Sequence, residues 1–169
     1  MAKKPNVFIS FQHDDLKVKE KFERMFVKHF DIATSSAVQT GKIDTDLNDE
    51  EIMRRIRNNH LRNATLTIVL IGKNTYNSKF VDWEIQYALR QKQRLKNRSG
   101  LMGIFIPEIK NGCKNYKRLL PPRLNENIKS GYAQCHDWTD DPQQLSAWVQ
   151  KALSMRKMNP VNNRPLMGK

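Results

Sequence analysis

The run Leu66-Thr67-Ile68-Val69-Leu70-Ile71 constrains this chain more than any other feature. It is an unbroken apolar stretch of strand length, and an unbroken run indicates cover on both faces. That is the mark of an inner strand in a parallel sheet flanked by helices. It falls far short of the ~20 apolar residues a membrane-spanning helix needs. With 169 residues, the chain is long enough for one domain to bury a core without disulfides or metals.

The rest of the chain alternates in the same sense. Residues 7–11 (Val-Phe-Ile-Ser-Phe) read as a buried strand, and Asp14-Asp15 open a helix whose apolar face is Leu16, Phe22, Met25, Phe26 and Phe30. Residues 31–46 read as loop with a short strand near Ile32. Asn48 or Asp49 opens a second helix, with Ile52, Met53 and Ile56 turned inward. Residues 72–77 form a turn, and Ser78 caps a helix carrying Val81, Ile85, Ala88 and Leu89. Residues 101–106 are another buried strand, stopped by Pro107. Residues 107–131 read as a long excursion, 133–138 as a last strand, and Pro142 begins a terminal helix. This order indicates an α/β fold, a flavodoxin-like three-layer sandwich on a mostly parallel sheet of four to five strands. The expected organisation is one domain over 1–156 and a basic tail over 157–169. Ligands in such sheets sit beyond the carboxyl ends of the strands. Residues 10–15, residues 72–78 and the chain from Pro107 onward are therefore the places to look.

Lys and Arg number 30 against 17 Asp and Glu, a net charge of +13. That suits a nucleic-acid binder, or a protein handling a polyanionic small molecule. The cations do not favour the first. Arg90, Lys92, Arg94, Lys96 and Arg98 wrap around a helix, Arg54, Arg55, Arg57 and Arg62 cluster elsewhere, and no aromatic residues interleave with them. A solvated face is the favoured reading. Neither glycine-rich nucleotide-binding motif is present. Two cysteines make no disulfide framework and lack zinc-type spacing, and no secretion leader pattern follows Met1, so the expected setting is cytoplasmic.

Glu84 stands out among the acids. Its helix neighbours at three and four residues are Phe80, Val81, Tyr87 and Ala88, and Trp83 adjoins it. It is either a working carboxylate in an apolar stripe or a boundary glutamate held by the helix start or a distant cation. Asp82 reads as a surface acid favoured by the helix dipole. His13 reads mainly as exposed. Cys135 and His136 point to opposite faces of a strand and make no catalytic pair. His29 and His60 are isolated, and no metal-ligand spacing occurs.

Taken together, residues 7–11 followed by Asp14-Asp15, then 65–72, then Tyr76-Asn77-Ser78-Lys79-Phe80-Val81-Asp82-Trp83-Glu84-Ile85, resemble the TIR-like domain family. The likeness is above all to the TIR-like proteins of bacterial Thoeris antiphage systems. It covers residues 5–107. TIR enzymes carry Ser, then Trp two residues on, then Cys, two variable residues, Glu and Leu. Here Ser78, Phe80, Val81, Glu84 and Ile85 stand in related positions, with Phe and Val as departures. The resemblance implies a flavodoxin-like fold and Glu84 as the catalytic residue. It implies cleavage of the nicotinamide–ribose bond of NAD+, which enters as substrate, with no further cofactor. Cyclisation of the ADP-ribose would give a diffusible cyclic nucleotide that activates a separate effector protein. A phage-derived trigger and assembly into a homo-oligomer are also implied. Ser10, Phe11, Gln12, His13, Lys73 and Trp83 are the expected substrate contacts. The alternatives are a non-catalytic TIR-like assembly module and, further off, a basic nucleic-acid-binding domain.

Overall fold

A computed structural model describes residues 4–34, 64–90 and 98–158, with Asn48, Glu51, Arg54 and Leu61. Its described strands are β1 (Asn6–Ser10), β2 (Asp31–Thr34), β3 (Leu66–Ile71), β4 (Gly100–Phe105) and β5 (Ala133–His136). They form one sheet in the order β2-β1-β3-β4-β5, and every pairing is parallel. This is the expected flavodoxin-type arrangement. The chain starts in β1, steps to one side for β2, then crosses to the other for β3. The strand order therefore reverses between β1 and β3, which leaves a crevice beyond their carboxyl ends. Ser10 ends β1 in register with Val69, and Ile71 ends β3 in register with Phe105.

The described α-helices are α1 (Leu16–Phe26), α2 (Lys79–Ala88), α3 (Gly112–Asn115), α4 (Pro122–Lys129) and α5 (Pro142–Met158). Alternate residues of β3 serve opposite cores. Leu66, Ile68 and Leu70 pack with Phe22 and Phe26 of α1 and with Leu145, Val149 and Ala152 of α5. Val69 and Ile71 pack with Val81 and Ile85 of α2 and Leu124 of α4. Both faces of β3 are thus covered, the arrangement the apolar run called for. None of the described helices is long and apolar enough to cross a membrane.

Two expectations need correction, and one gains detail. Residues 107–131 are not an open excursion. They hold α3, a 3₁₀ turn at Lys117–Leu119, and α4, which begins with Pro122 at its first position. Proline suits that position because its missing N–H has no helical partner to lose. Asp14 and Asp15 open the helical segment as expected, with Asp15 at the N-cap of α1, but through an intervening turn. They belong to a 3₁₀ turn at His13–Asp15, capped by the Gln12 side chain, which accepts from the Asp14 N–H at 2.7 Å. Asp82 is not a surface acid. It is buried and ion-paired with Arg123.

Asn48 does act as a cap, accepting from the Glu51 N–H at 2.9 Å. The readings for Ile52, Met53, Ile56, Arg55, Arg57, His60, Arg62, Lys92, Arg94 and Lys96, and for residues 159–169, lie outside the described residues. So does most of the 31–46 segment beyond β2.

Candidate active site

Helix α2 leaves the carboxyl edge of β3 through a 3₁₀ turn at Thr75–Asn77. Ser78 caps it, its hydroxyl accepting from the Val81 N–H at 3.3 Å. The helix turns Val81, Ile85 and Ala88 into the core, and this brings Glu84 below the surface. Glu84 is 0% exposed. The Ser10 hydroxyl donates to Glu84 Oε1 at 2.9 Å, and Ser10 is equally enclosed. The bond joins the last residue of β1 to the helix that follows β3, across the point where the strand order reverses.

The same helix is anchored from the other side. Arg123 of α4 grips Asp82 with two hydrogen bonds, Nε to Oδ1 at 2.9 Å and Nη2 to Oδ2 at 3.1 Å. The fork geometry matches guanidinium to carboxylate, and burial strengthens both bonds. Asn127 Nδ2 donates in turn to the Arg123 carbonyl at 2.8 Å. Trp83 is nearly enclosed and packs edge-on against Phe80 with ring centroids 5.8 Å apart. The Lys79 ammonium lies over both rings, at 5.4 and 5.7 Å.

At the same sheet edge lies a cavity of about 720 Å³. Its walls include Gln12, Asp15, Lys17, Lys73, Ile106 and Glu108. Asp15 sits directly against Gly72, where any Cβ would collide with its carboxylate. Glycine is what lets the two loops close there. Burial first, then the charges of Asp14 and Glu108, push the Asp15 carboxyl up to about 6, against the Thr75 hydroxyl and Lys73, which lower it.

The sequence profile described as Thoeris protein ThsB, TIR-like domain, matches residues 8–111. The chain belongs to that family. A comparison with curated proteins finds no match.

The ThsB TIR-like match takes in the carboxyl end of β1 and the whole of β3, α2 and β4, and with them both Ser10 and Glu84. The residues singled out from the sequence are not all gathered in one place. Ser10 and Glu84 touch. Gln12 and Lys73 share the wall of the cavity. Phe11 lies wholly in the core on the α1 side, with the Lys19 ammonium 5.6 Å from its ring centroid. His13 is exposed. Trp83 packs on Phe80 and is not among the walls of this cavity. Cys135 and His136 do face opposite ways. Cys135 meets the Cys113 thiol of α3 at 2.9 Å, both free, while His136 stacks on Trp148 with centroids 3.9 Å apart.

Sequence reasoning missed Asp15 and Glu108 as cavity residues and missed Arg123 altogether. The rule of carboxyl strand ends already covered positions 10–15 and the chain from Pro107, so it was enough to find the first two. Arg123 carried no local signal, since its partner lies 41 residues away.

Proposed function

We propose that this ThsB-family domain cleaves the bond between nicotinamide and ribose in NAD+, and that it closes the ADP-ribose part into a cyclic nucleotide signal. The observation carrying this reading is the Glu84 carboxyl, enclosed on α2 and held by the Ser10 hydroxyl at the reversal point of the sheet. Breaking an N-glycosidic bond passes through an oxocarbenium-like state, with positive charge growing on the ribose. A carboxylate set against that ring stabilises the growing charge more than it stabilises the substrate, and it does so most in a site that excludes water. Nicotinamide leaves as a neutral base, so one carboxylate suffices. Ser10 fixes one oxygen of Glu84 and leaves the side chain little freedom to turn away. Exclusion of water favours attack by an internal group, and hence a ring, over hydrolysis.

Enclosure also limits access. A ribose reaches Glu84 only after neighbouring side chains move, so the isolated protein is expected to turn over slowly until a trigger from infection opens it. In the same reading the cyclic product carries the signal to a separate effector protein.

The test is nicotinamide release by purified protein, alone and with phage-infected lysate, followed by mass spectrometry of the products. Wild type releases nicotinamide in at least one condition and Glu84→Gln in none. Equal release by the two proteins, or none by wild type in either condition, would overturn the reading. Glu84→Ala retaining full antiphage effect would instead support an assembly module.

A further inference from the structure

A second cavity, of about 410 Å³, continues from the first and shares Lys73, Glu108 and Ile109 with it. Its remaining walls include Lys110, Tyr116 and Arg118. The two lobes differ in charge. The first sets Asp14, Asp15 and Glu108 against Lys17 and Lys73. The second sets Lys73, Lys110 and Arg118 against Glu108 alone. Among the described residues none of these three cations takes part in an ion pair.

The wall bearing them is built. Cys113 N–H donates to Asp137 Oδ1 at 3.2 Å, which holds the start of α3 to the end of β5. Tyr116 N–H then donates to the Gly112 carbonyl at 2.9 Å, and the 3₁₀ turn at Lys117–Leu119 follows. The Arg118 guanidinium lies over the Tyr116 ring, 5.0 Å from its centroid, so cation and ring form one stack whose outer plane is the guanidinium.

Each lobe suits a different chemistry. Carboxylates repel phosphate but accept hydrogen bonds from sugar hydroxyls. Clustered cations neutralise adjacent phosphate oxygens, and a ring with a guanidinium offers a stacking surface to a planar base. We propose that the lobe of Lys73, Lys110 and Arg118 binds the diphosphate of a nucleotide, with the base against the Arg118–Tyr116 stack. This rests on the proposed activity in taking the nucleotide to be the ADP half of the dinucleotide. The diphosphate assignment itself comes from the charge of the lobe.

The experiment is calorimetric titration of the full chain with ADP and with inorganic diphosphate at about 0.1 M salt, where long-range charge effects are screened. Lys110→Glu and Arg118→Glu each weaken both probes about tenfold or more. Tyr116→Leu weakens ADP several-fold and leaves inorganic diphosphate within about twofold. Lys28→Glu makes the same charge change on the exposed turn after α1, outside the groove, and leaves both unchanged. Lys28, Lys110 and Arg118 are exposed, so their variants keep the fold. Absence of binding by wild type overturns the proposal. So does an equal loss with Lys28→Glu, since binding would then follow overall charge. Nicotinamide release, measured in parallel, separates the two readings. Cleavage with KM unchanged in Lys110→Glu and Arg118→Glu overturns the lobe and spares Glu84. ADP binding that depends on both cations, without nicotinamide release in any condition, overturns the activity and spares the lobe.

Discussion

At the scale of single residues, the Ser10–Glu84 contact sets stability against chemistry. An enclosed carboxylate costs free energy that an amide of the same shape does not. Glu84→Gln keeps an acceptor for the Ser10 hydroxyl, so it is expected to unfold at a temperature equal to or a few degrees above wild type while releasing no nicotinamide. Thermal melts read beside the activity assay check both halves. Ser10→Ala should stay folded at a cost of about 1–3 kcal/mol and lose about ten- to a hundredfold in kcat with KM little changed, because it frees Glu84 to turn without removing it. Asp15 gives a pH signature. Its pKa is raised to about 6 in the fold, so between about pH 4 and 6 the native state holds a proton that the unfolded chain has lost. The stability from this group is full below that window and disappears as pH rises through 6. Asp15→Asn is therefore expected to gain about 1 kcal/mol over wild type at pH 7.5, after allowance for solvent screening, and little at pH 4. His136 works the other way. Burial first, then Lys151, lower it to about 4, so its stability is full above pH 6.5 and is lost as pH falls toward 4. Urea unfolding across pH 4 to 8 should therefore show a flatter profile for wild type than for Asp15→Asn, in which the His136 slope is no longer opposed by that of Asp15.

At the scale of elements, the Asp82–Arg123 pair ties α2 to α4. Arg123→Leu leaves a buried carboxylate without its guanidinium and should cost about 3–5 kcal/mol, whereas Asp82→Leu with Arg123→Leu should recover most of that loss. Urea unfolding of the two variants measures the difference. The same elements show what a sequence can and cannot disclose. β3 and β4 were legible because burial on both faces writes itself as an uninterrupted apolar run. α2 was legible because Ser78, Val81, Ile85 and Ala88 give both its cap and its period. α4 was not, since Leu124 and Ile128 are its only aliphatic residues among charges and amides, although Pro122 marked its start. Glu84 could be picked out from its helix neighbours alone. Its bond to Ser10 could not, because 74 residues separate them and only the strand order brings them together. Asp82 was misjudged for the same reason, its cation being supplied by an element not seen in the sequence.

At the scale of the whole molecule, a net charge of +13 on 169 residues works against compactness. Salt screens that repulsion over about 10 Å at 0.1 M, and the enclosed Asp82–Arg123 pair is screened much less. The melting temperature is therefore expected to rise by a few degrees between about 0.02 and 0.3 M sodium chloride, followed by circular dichroism. An unchanged or falling temperature would mean that attractive surface pairs outweigh the repulsion. The all-parallel sheet gathers every strand's carboxyl end on one rim, so the enclosed acid and the charged lobes lie on the same side of the fold. Because the serine comes from the first strand and the acid from a helix 74 positions later, a growing polypeptide has no complete pair until both have left the ribosome and docked. On the proposed activity, copies in which that strand and helix have not docked are harmless to the cell's dinucleotide pool, and folding itself arms the molecule.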